Sequence, residues 1–108
     1  VWQTERVTPD AACEQLAAPD PPLILDVRAP KEFQDNHIAG AVNIPLSHLE
    51  ERMGEIPKDR RLLVHCAGGY RSSIAISILN QYGVTNVEEL VGGLAAWETA
   101  KLPLVASQ

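Results

Sequence analysis

The chain reads as one α/β domain, a central five-stranded parallel sheet with helices on both faces. Three observations carry this. Short β-branched or leucine-rich runs alternate with stretches of helical spacing along 108 residues. The central runs, Leu23-Ile24-Leu25-Asp26-Val27 and Leu62-Leu63-Val64, are almost wholly apolar, as strands covered on both faces are. The length suits a single core that removes roughly 65% of the unfolded chain's surface from water.

The elements follow in order. Glu5-Arg6-Val7 makes a short first strand. Thr8 is a good N-cap with Pro9 at the first helical position, and that helix runs to about Ala18, where Pro19-Asp20-Pro21-Pro22 stops it. The second strand is Leu23 to Val27. A short helix begins near Pro30, with Phe33 as its expected core anchor. Ala41-Val42-Asn43-Ile44 is the third strand, stopped by Pro45. Ser47-His48-Leu49-Glu50 fits a capping box, and Leu46, Leu49 and Met53 share one face of the helix it would open. Strand four runs from Leu62 to His65. The following helix, opened by Ser72, sets Ile74, Ile78 and Tyr82 on one stripe, with Ala75 and Leu79 beside them and Gly83 as C-cap. Val87 to Val91 forms the fifth strand, and Gly92-Gly93-Leu94-Ala95-Ala96-Trp97 turns into a last helix. Trp97 and Trp2 read as packing anchors, and Cys13 as core.

Composition narrows the function classes. A net charge of −5 without a basic run argues against nucleic acid as a partner. No apolar run approaches the ~20 residues of a membrane span, and no signal peptide opens the chain. Two cysteines are too few for a disulfide framework, so a reduced, cytoplasmic setting is expected. The chain begins at Val1 without an initiator methionine, which fits a domain over 1–108 excised from something longer. No spacing among His, Cys and acidic residues suits a metal site.

One segment carries chemistry. The fourth strand runs into Cys66-Ala67-Gly68-Gly69-Tyr70-Arg71-Ser72 and then an apolar helix. A strand, a tight loop and a helix N-terminus converge backbone N–H groups and a dipole on one point, which makes an anion site. A thiol held there ionises more readily than free cysteine, near pKa ~8.5. Gly68 and Gly69 would let amides face the sulfur and permit positive φ. Cys66 reads as a nucleophile. The bland alternative, a buried structural cysteine, does not account for the glycines and Arg71 downstream. Asp26 and Arg28 end a strand beside this loop and read as a structural ion pair in support. His37 and His65 read as structural hydrogen-bonding residues, and His48 as a solvated one.

The chain resembles the rhodanese family of sulfurtransferases. Leu25-Asp26-Val27-Arg28, Glu32-Phe33 and His37-Ile38-Ala39-Gly40-Ala41-Val42-Asn43-Ile44-Pro45 are similar to its first signature, the cysteine loop to its second, and Gly92 to Trp97 to its C-terminal one. Asn36 stands where the family usually has Gly, and Asn is the next best residue for a left-handed turn. The resemblance implies a sulfane sulfur taken from thiosulfate or a low-molecular-weight persulfide. Cys66 would hold it as a persulfide, with no other cofactor, and pass it to cyanide, sulfite or a thiol. Ala67, Gly68, Gly69, Tyr70, Arg71 and Ser72 would bind the substrate, Tyr70 at the pocket mouth and Arg71 on loop carbonyls or the donor's anionic group. The loop wording is also similar to rhodanese domains fused to metallo-β-lactamase-fold persulfide dioxygenases, which suggests a fused or partner persulfide-handling enzyme.

Two rivals are weighed against this. Cysteine phosphatases and arsenate reductases look like Cys-x5-Arg, one residue longer than the Cys-x4-Arg of Cys66 and Arg71. Non-catalytic rhodanese-like interaction domains usually lack the cysteine. Many thiosulfate-using relatives carry a basic residue directly after the cysteine. Ala67 stands there instead, so a thiol persulfide such as glutathione persulfide is the expected better donor.

Overall fold

The computed structural model describes residues 5–57, 59–68 and 70–106; Trp2 lies outside them. Strands β1 (Glu5–Val7), β2 (Leu23–Asp26), β3 (Val42–Asn43), β4 (Leu62–His65) and β5 (Val87–Leu90) form one sheet in the order β1-β5-β4-β2-β3. Every strand pair is parallel. Among the described residues the α-helices are α1 (Pro9–Leu16), α2 (Pro30–Asp35), α3 (Tyr70–Gln81) and α4 (Gly93–Thr99).

Alternation along the central strands divides the core in two. Leu62 and Val64 of β4, with Leu25 of β2, pack against Ala75, Ile76 and Leu79 of α3 and against Leu49, Met53 and Ile56. Leu63 and Ile24 face the other way, onto Ala12 of α1, and Leu94 and Trp97 of α4. The period of two thus sends successive apolar side chains into different layers. Trp97 is fully buried, and its indole N–H donates to the Pro103 carbonyl at 3.0 Å, which ties the tail to α4.

Strand order fixes where a site can lie. After β2 the chain moves outward to β3; it returns to β4 on the other side of β2 and then moves outward to β5. The direction reverses between β2 and β4, and in open parallel sheets ligands bind outside the carboxyl ends of strands at such a reversal. Asp26 and His65, in register with each other, end those two strands.

Several local expectations change. Helix α1 has its Thr8 cap, the Oγ1 accepting from Ala11 N at 3.3 Å, but ends at Leu16. The segment after β3 is no α-helix. It forms two 3₁₀ turns, Leu46–His48 and Met53–Glu55, with Pro45 rather than Ser47 at the first cap. Its buried residues Leu49, Met53 and Ile56 anchor separate turns, and so short a segment gains little from α-helical propagation. Helix α3 begins at Tyr70, not Ser72, and buries Ser72, Ala75, Ile76 and Leu79, while Ile74 and Tyr82 are exposed. Gly83 does end it, at φ +84°. Phe33 is only half-buried and stacks on His37, ring centroids 3.8 Å apart, rather than anchoring the core. Cys13 is likewise half-buried against the α1/α4 layer. Asn36 has φ −164°, an extended residue, so no left-handed turn is needed there. Among the described residues no helix is long and apolar enough to cross a membrane.

Leu63 is fully buried on the central strand, facing Trp97's layer. Leu63→Ala is expected to cost about 2–5 kcal/mol of unfolding free energy, the usual range for a core leucine, read from the urea midpoint at unchanged slope.

Candidate active site

Cys66 follows the last residue of β4 directly and is buried, 1% exposed, with α3 rising from the far side of its loop. What shapes the loop comes from α4. Leu94 N donates to the Cys66 carbonyl and Ala95 N to the Ala67 carbonyl, each at 2.9 Å. There is no cis peptide among the described residues. In a trans peptide the carbonyl and the next N–H point in opposite directions. The amides of Ala67 and Gly68 are therefore turned away from α4, and the helix's grip on two carbonyls sets the direction of two donors.

That grip requires Gly93. Its φ is +62°, and a Cβ there would lie 2.6 Å from the Cys66 carbonyl oxygen and 2.8 Å from that of Ala67. Gly68 shows the reverse. Its φ is not positive and a Cβ would meet nothing within 4 Å. The special backbone expected in the Cys66 loop is found at Gly93, across from it. Gly69 lies outside the described residues.

Behind the cysteine is a buried polar layer. Asp26 is fully buried and takes Arg28 in a fork, Nη2 to Oδ2 at 2.8 Å and Nε at 3.0 Å, with the Arg28 backbone N–H on Oδ1 at 3.0 Å. Arg28 Nη2 also donates to the Asn36 carbonyl at 2.6 Å. The structural ion pair expected from the sequence is present. His65, fully buried, sets Nδ1 3.3 Å from the Cys66 carbonyl and Nε2 3.7 Å from Asp26 Oδ2. The carbonyl can only accept, so Nδ1 carries the proton. Burial pushes the His65 pKa below its usual value; Asp26 and the Cys66 carbonyl oppose this, and Arg28 adds to it. His65 is therefore neutral at pH 7. His37 is structural too: Nδ1 donates to the Phe33 carbonyl at 2.7 Å, and its backbone pairs with Val105. His48 is exposed and meets Glu51.

Arg71 departs from expectation. One-third exposed, it forks onto Glu32 of α2, Nη1–Oε1 at 2.7 Å and Nη2–Oε2 at 3.0 Å, and no bond to a loop carbonyl is seen among the described residues. The Arg71 hydrogen bond is the main reason the Glu32 pKa drops to about 2, and the Arg71 pKa rises in return. Glu32 Oε1 also accepts from Ala29 N at 3.1 Å, so one carboxylate joins the starts of α2 and α3. Ser72 is buried, its Oγ donating to Glu89 Oε2 at 2.7 Å, with Ser73 Oγ on the same atom at 3.2 Å. This supports the start of α3 rather than showing a substrate contact. Tyr70 is 81% exposed and does not line the neighbouring cleft. That cleft, about 360 Å³, is walled mainly by Val27, Pro30, Pro45 and Leu46, with His48 and Arg71 at its polar side. Cys66 does not line it.

Glu32, Glu89 and Gly93 escaped attention as site residues. Glu89 is one of two adjacent glutamates in the short strand Val87–Leu90, and the sequence does not say which of the two is buried. Glu32 stands in the first family signature, but nothing local names its partner, which lies 39 positions away.

The rhodanese-like domain model matches residues 8–100. The chain belongs to that family. A relative named sulfurtransferase, from Allochromatium vinosum, is 36% identical over 99 residues, 92% of each chain. The thiosulfate sulfurtransferase PspE of Escherichia coli is 40% identical over 72 residues, 65% of this chain and 68% of its own. A rhodanese-related crystal structure from Thermoplasma volcanium superposes at TM-score 0.85 with 32% identity, covering 94% of this rhodanese-like domain and 97% of that chain. The domain spans 59% of two further relatives, which are longer.

Gly93→Ala is expected to lower stability by about 1–3 kcal/mol through backbone strain and the clash with the loop carbonyls. Gly68→Ala should stay within about 0.5 kcal/mol. Chemical denaturation of both variants checks the contrast. A second expectation concerns acid. The folded-state pKa of His65 lies below its unfolded value of 6.5. Between those two values the unfolded chain binds the extra proton, so stability is intact above about 6.5 and falls as pH drops through that window. The loss in stability from pH ~7.5 to ~5.5 should shrink in His65→Asn, measured by urea titration at both pH values.

Proposed function

We propose that this domain is a sulfurtransferase that carries sulfane sulfur on Cys66. The observation that supports it most is the position of the thiol: at the strand-order reversal, before the N-terminus of a 12-residue helix, in a loop whose carbonyls α4 draws away. Amides and helix dipole then favour an anion next to Sγ.

In the first half-reaction the Cys66 thiolate attacks the outer sulfur of a donor R–S–S⁻. The Sγ–S bond forms as the donor's S–S bond breaks, and R–S⁻ leaves with the bonding pair. With thiosulfate the leaving group is sulfite. In the second half-reaction a thiolate, sulfite or cyanide attacks the outer sulfur and the Cys66 thiolate leaves. Each step is a displacement at sulfur, and no external oxidant or reductant is consumed. Asp26, Arg28 and His65 hold the strand ends behind the loop.

Phosphate chemistry fits less well. Cys-x4-Arg is one residue short of the phosphatase spacing, and Arg71, which would have to meet a phosphate, is paired with Glu32.

Incubation with a thiol persulfide is expected to add the mass of one sulfur atom to the protein, on the peptide containing Cys66. Cys66→Ala should lose the adduct and at least about a thousandfold of transfer rate, as loss of a covalent nucleophile does. Cys13→Ala should keep both. An unmodified Cys66, or full transfer by Cys66→Ala, would refute the proposal and leave a non-catalytic module.

A further inference from the structure

Resting on that sulfur-transfer reading, we infer that Glu32 is a specificity-determining residue. By holding Arg71 it withholds the loop's cation from small dianionic donors, and it leaves the cleft to donors with an uncharged or apolar body carrying a terminal persulfide.

The geometry makes the case. Arg71 ends the Cys66 loop, where an incoming anion would first find a guanidinium. Both ends of its fork are already on one carboxylate, at 2.7 and 3.0 Å. A bidentate pair of this kind neutralises most of the guanidinium's charge toward a third group and occupies two of its five N–H donors. The pair persists across working pH, since the Glu32 carboxyl titrates only at about 2. Arg28, the other arginine near the reversal, is buried and forked on Asp26. Beside the pair the cleft walls are Val27, Pro30, Pro45 and Leu46. Such a surface gains from an organic body, and its polar side offers a sulfonate only Ser47, His48, which meets Glu51, and the paired Arg71. A dianion would have to displace Glu32 from Arg71 or bind next to a paired carboxylate. The monoanion of a thiol persulfide brings one charge, which the loop amides meet at the sulfur itself. Side chains of Arg71 and Glu32 are 33% and 37% exposed, so a substitution of Glu32 acts at the rim and leaves the core intact.

Glu32→Gln is the informative change. The amide oxygen can still accept from Ala29 N, but the charge that fixes Arg71 is gone. The readouts are kcat/KM with thiosulfate and with the persulfide of 2-mercaptoethanol, a monoanionic donor with an uncharged body, and the sulfate concentration that half-protects Cys66 from iodoacetamide. The thiosulfate-to-persulfide ratio of kcat/KM should rise about tenfold or more, the gain from one charge-assisted contact. Half-protection by sulfate should come at about one tenth of the wild-type concentration. In Glu32→Gln/Arg71→Gln both gains should vanish. A purely structural Glu32 would lower turnover with both donors together and leave the ratio unchanged. That outcome, or gains that survive loss of Arg71, would overturn the inference. If neither donor supports transfer but sulfate protection still sharpens in Glu32→Gln, the sulfur-transfer proposal falls while the role of Glu32 in anion access stands.

Discussion

Two hydrogen bonds, from Leu94 N to the Cys66 carbonyl and from Ala95 N to the Ala67 carbonyl, set the conditions for everything else in the site. A loop of a few residues between a strand and a helix has many ways to point its peptides. An anion site needs its N–H groups on the inside, and the Coulomb energy of an anion against a carbonyl is as unfavourable as against an amide it is favourable. Capture of two successive carbonyls by the start of another helix removes the wrong arrangements. It also explains why the Gly92-Gly93 turn, far from Cys66 in sequence, sits against the loop. Any side chain at Gly93 would push α4 off the carbonyls it holds.

The second constraint is electrostatic. A neutral buried His65, a forked Asp26–Arg28 pair and Ser72 on Glu89 lie behind the sulfur and, with His37, make up the buried polar side chains among the described residues. Buried ion pairs are weak contributors to net stability, because desolvation offsets most of their attraction. Their value here is positional. Arg28 joins the end of β2 to the Asn36 carbonyl, and His65 donates to the same carbonyl that Leu94 holds. The Nε2 of His65 has no hydrogen-bond partner among the described residues and lies 3.7 Å from the Asp26 carboxylate.

Much of this was legible in the sequence. Apolar central strands, Thr8-Pro9, Gly83 and the Cys66 loop announce themselves through local rules, since each needs only its neighbours to be read. Errors fell where a long-range partner outvotes local pattern. Leu46, Leu49 and Met53 match a helical face, yet Pro45 and the demands of the core divide the segment into 3₁₀ turns. Apolar residues lie around most of α3, and the face turned inward is Ser72, Ala75, Ile76 and Leu79, with Ser72 on Glu89, while of the Ile74-Ile78-Tyr82 stripe only Ile78 packs in part on the core. The sequence points Arg71 at loop carbonyls or a donor's anionic group, because its partner Glu32 sits on α2, distant in sequence.

The Arg71–Glu32 pair also bears on how a fold of this kind can change its chemistry without changing its frame. Positions that make the anion cradle, the α4 amides and Gly93, act through backbone and tolerate little variation. The rim pair acts through side chains that are one-third exposed, where substitutions cost little stability. On the proposed sulfur-transfer reading, a cation released at the rim would add attraction for dianions without touching the loop amides beside the sulfur. Holding one sulfur atom and choosing the molecule that brings it would then fall to different atoms, the first to peptide geometry at the sheet's reversal point and the second to one carboxylate that another helix contributes.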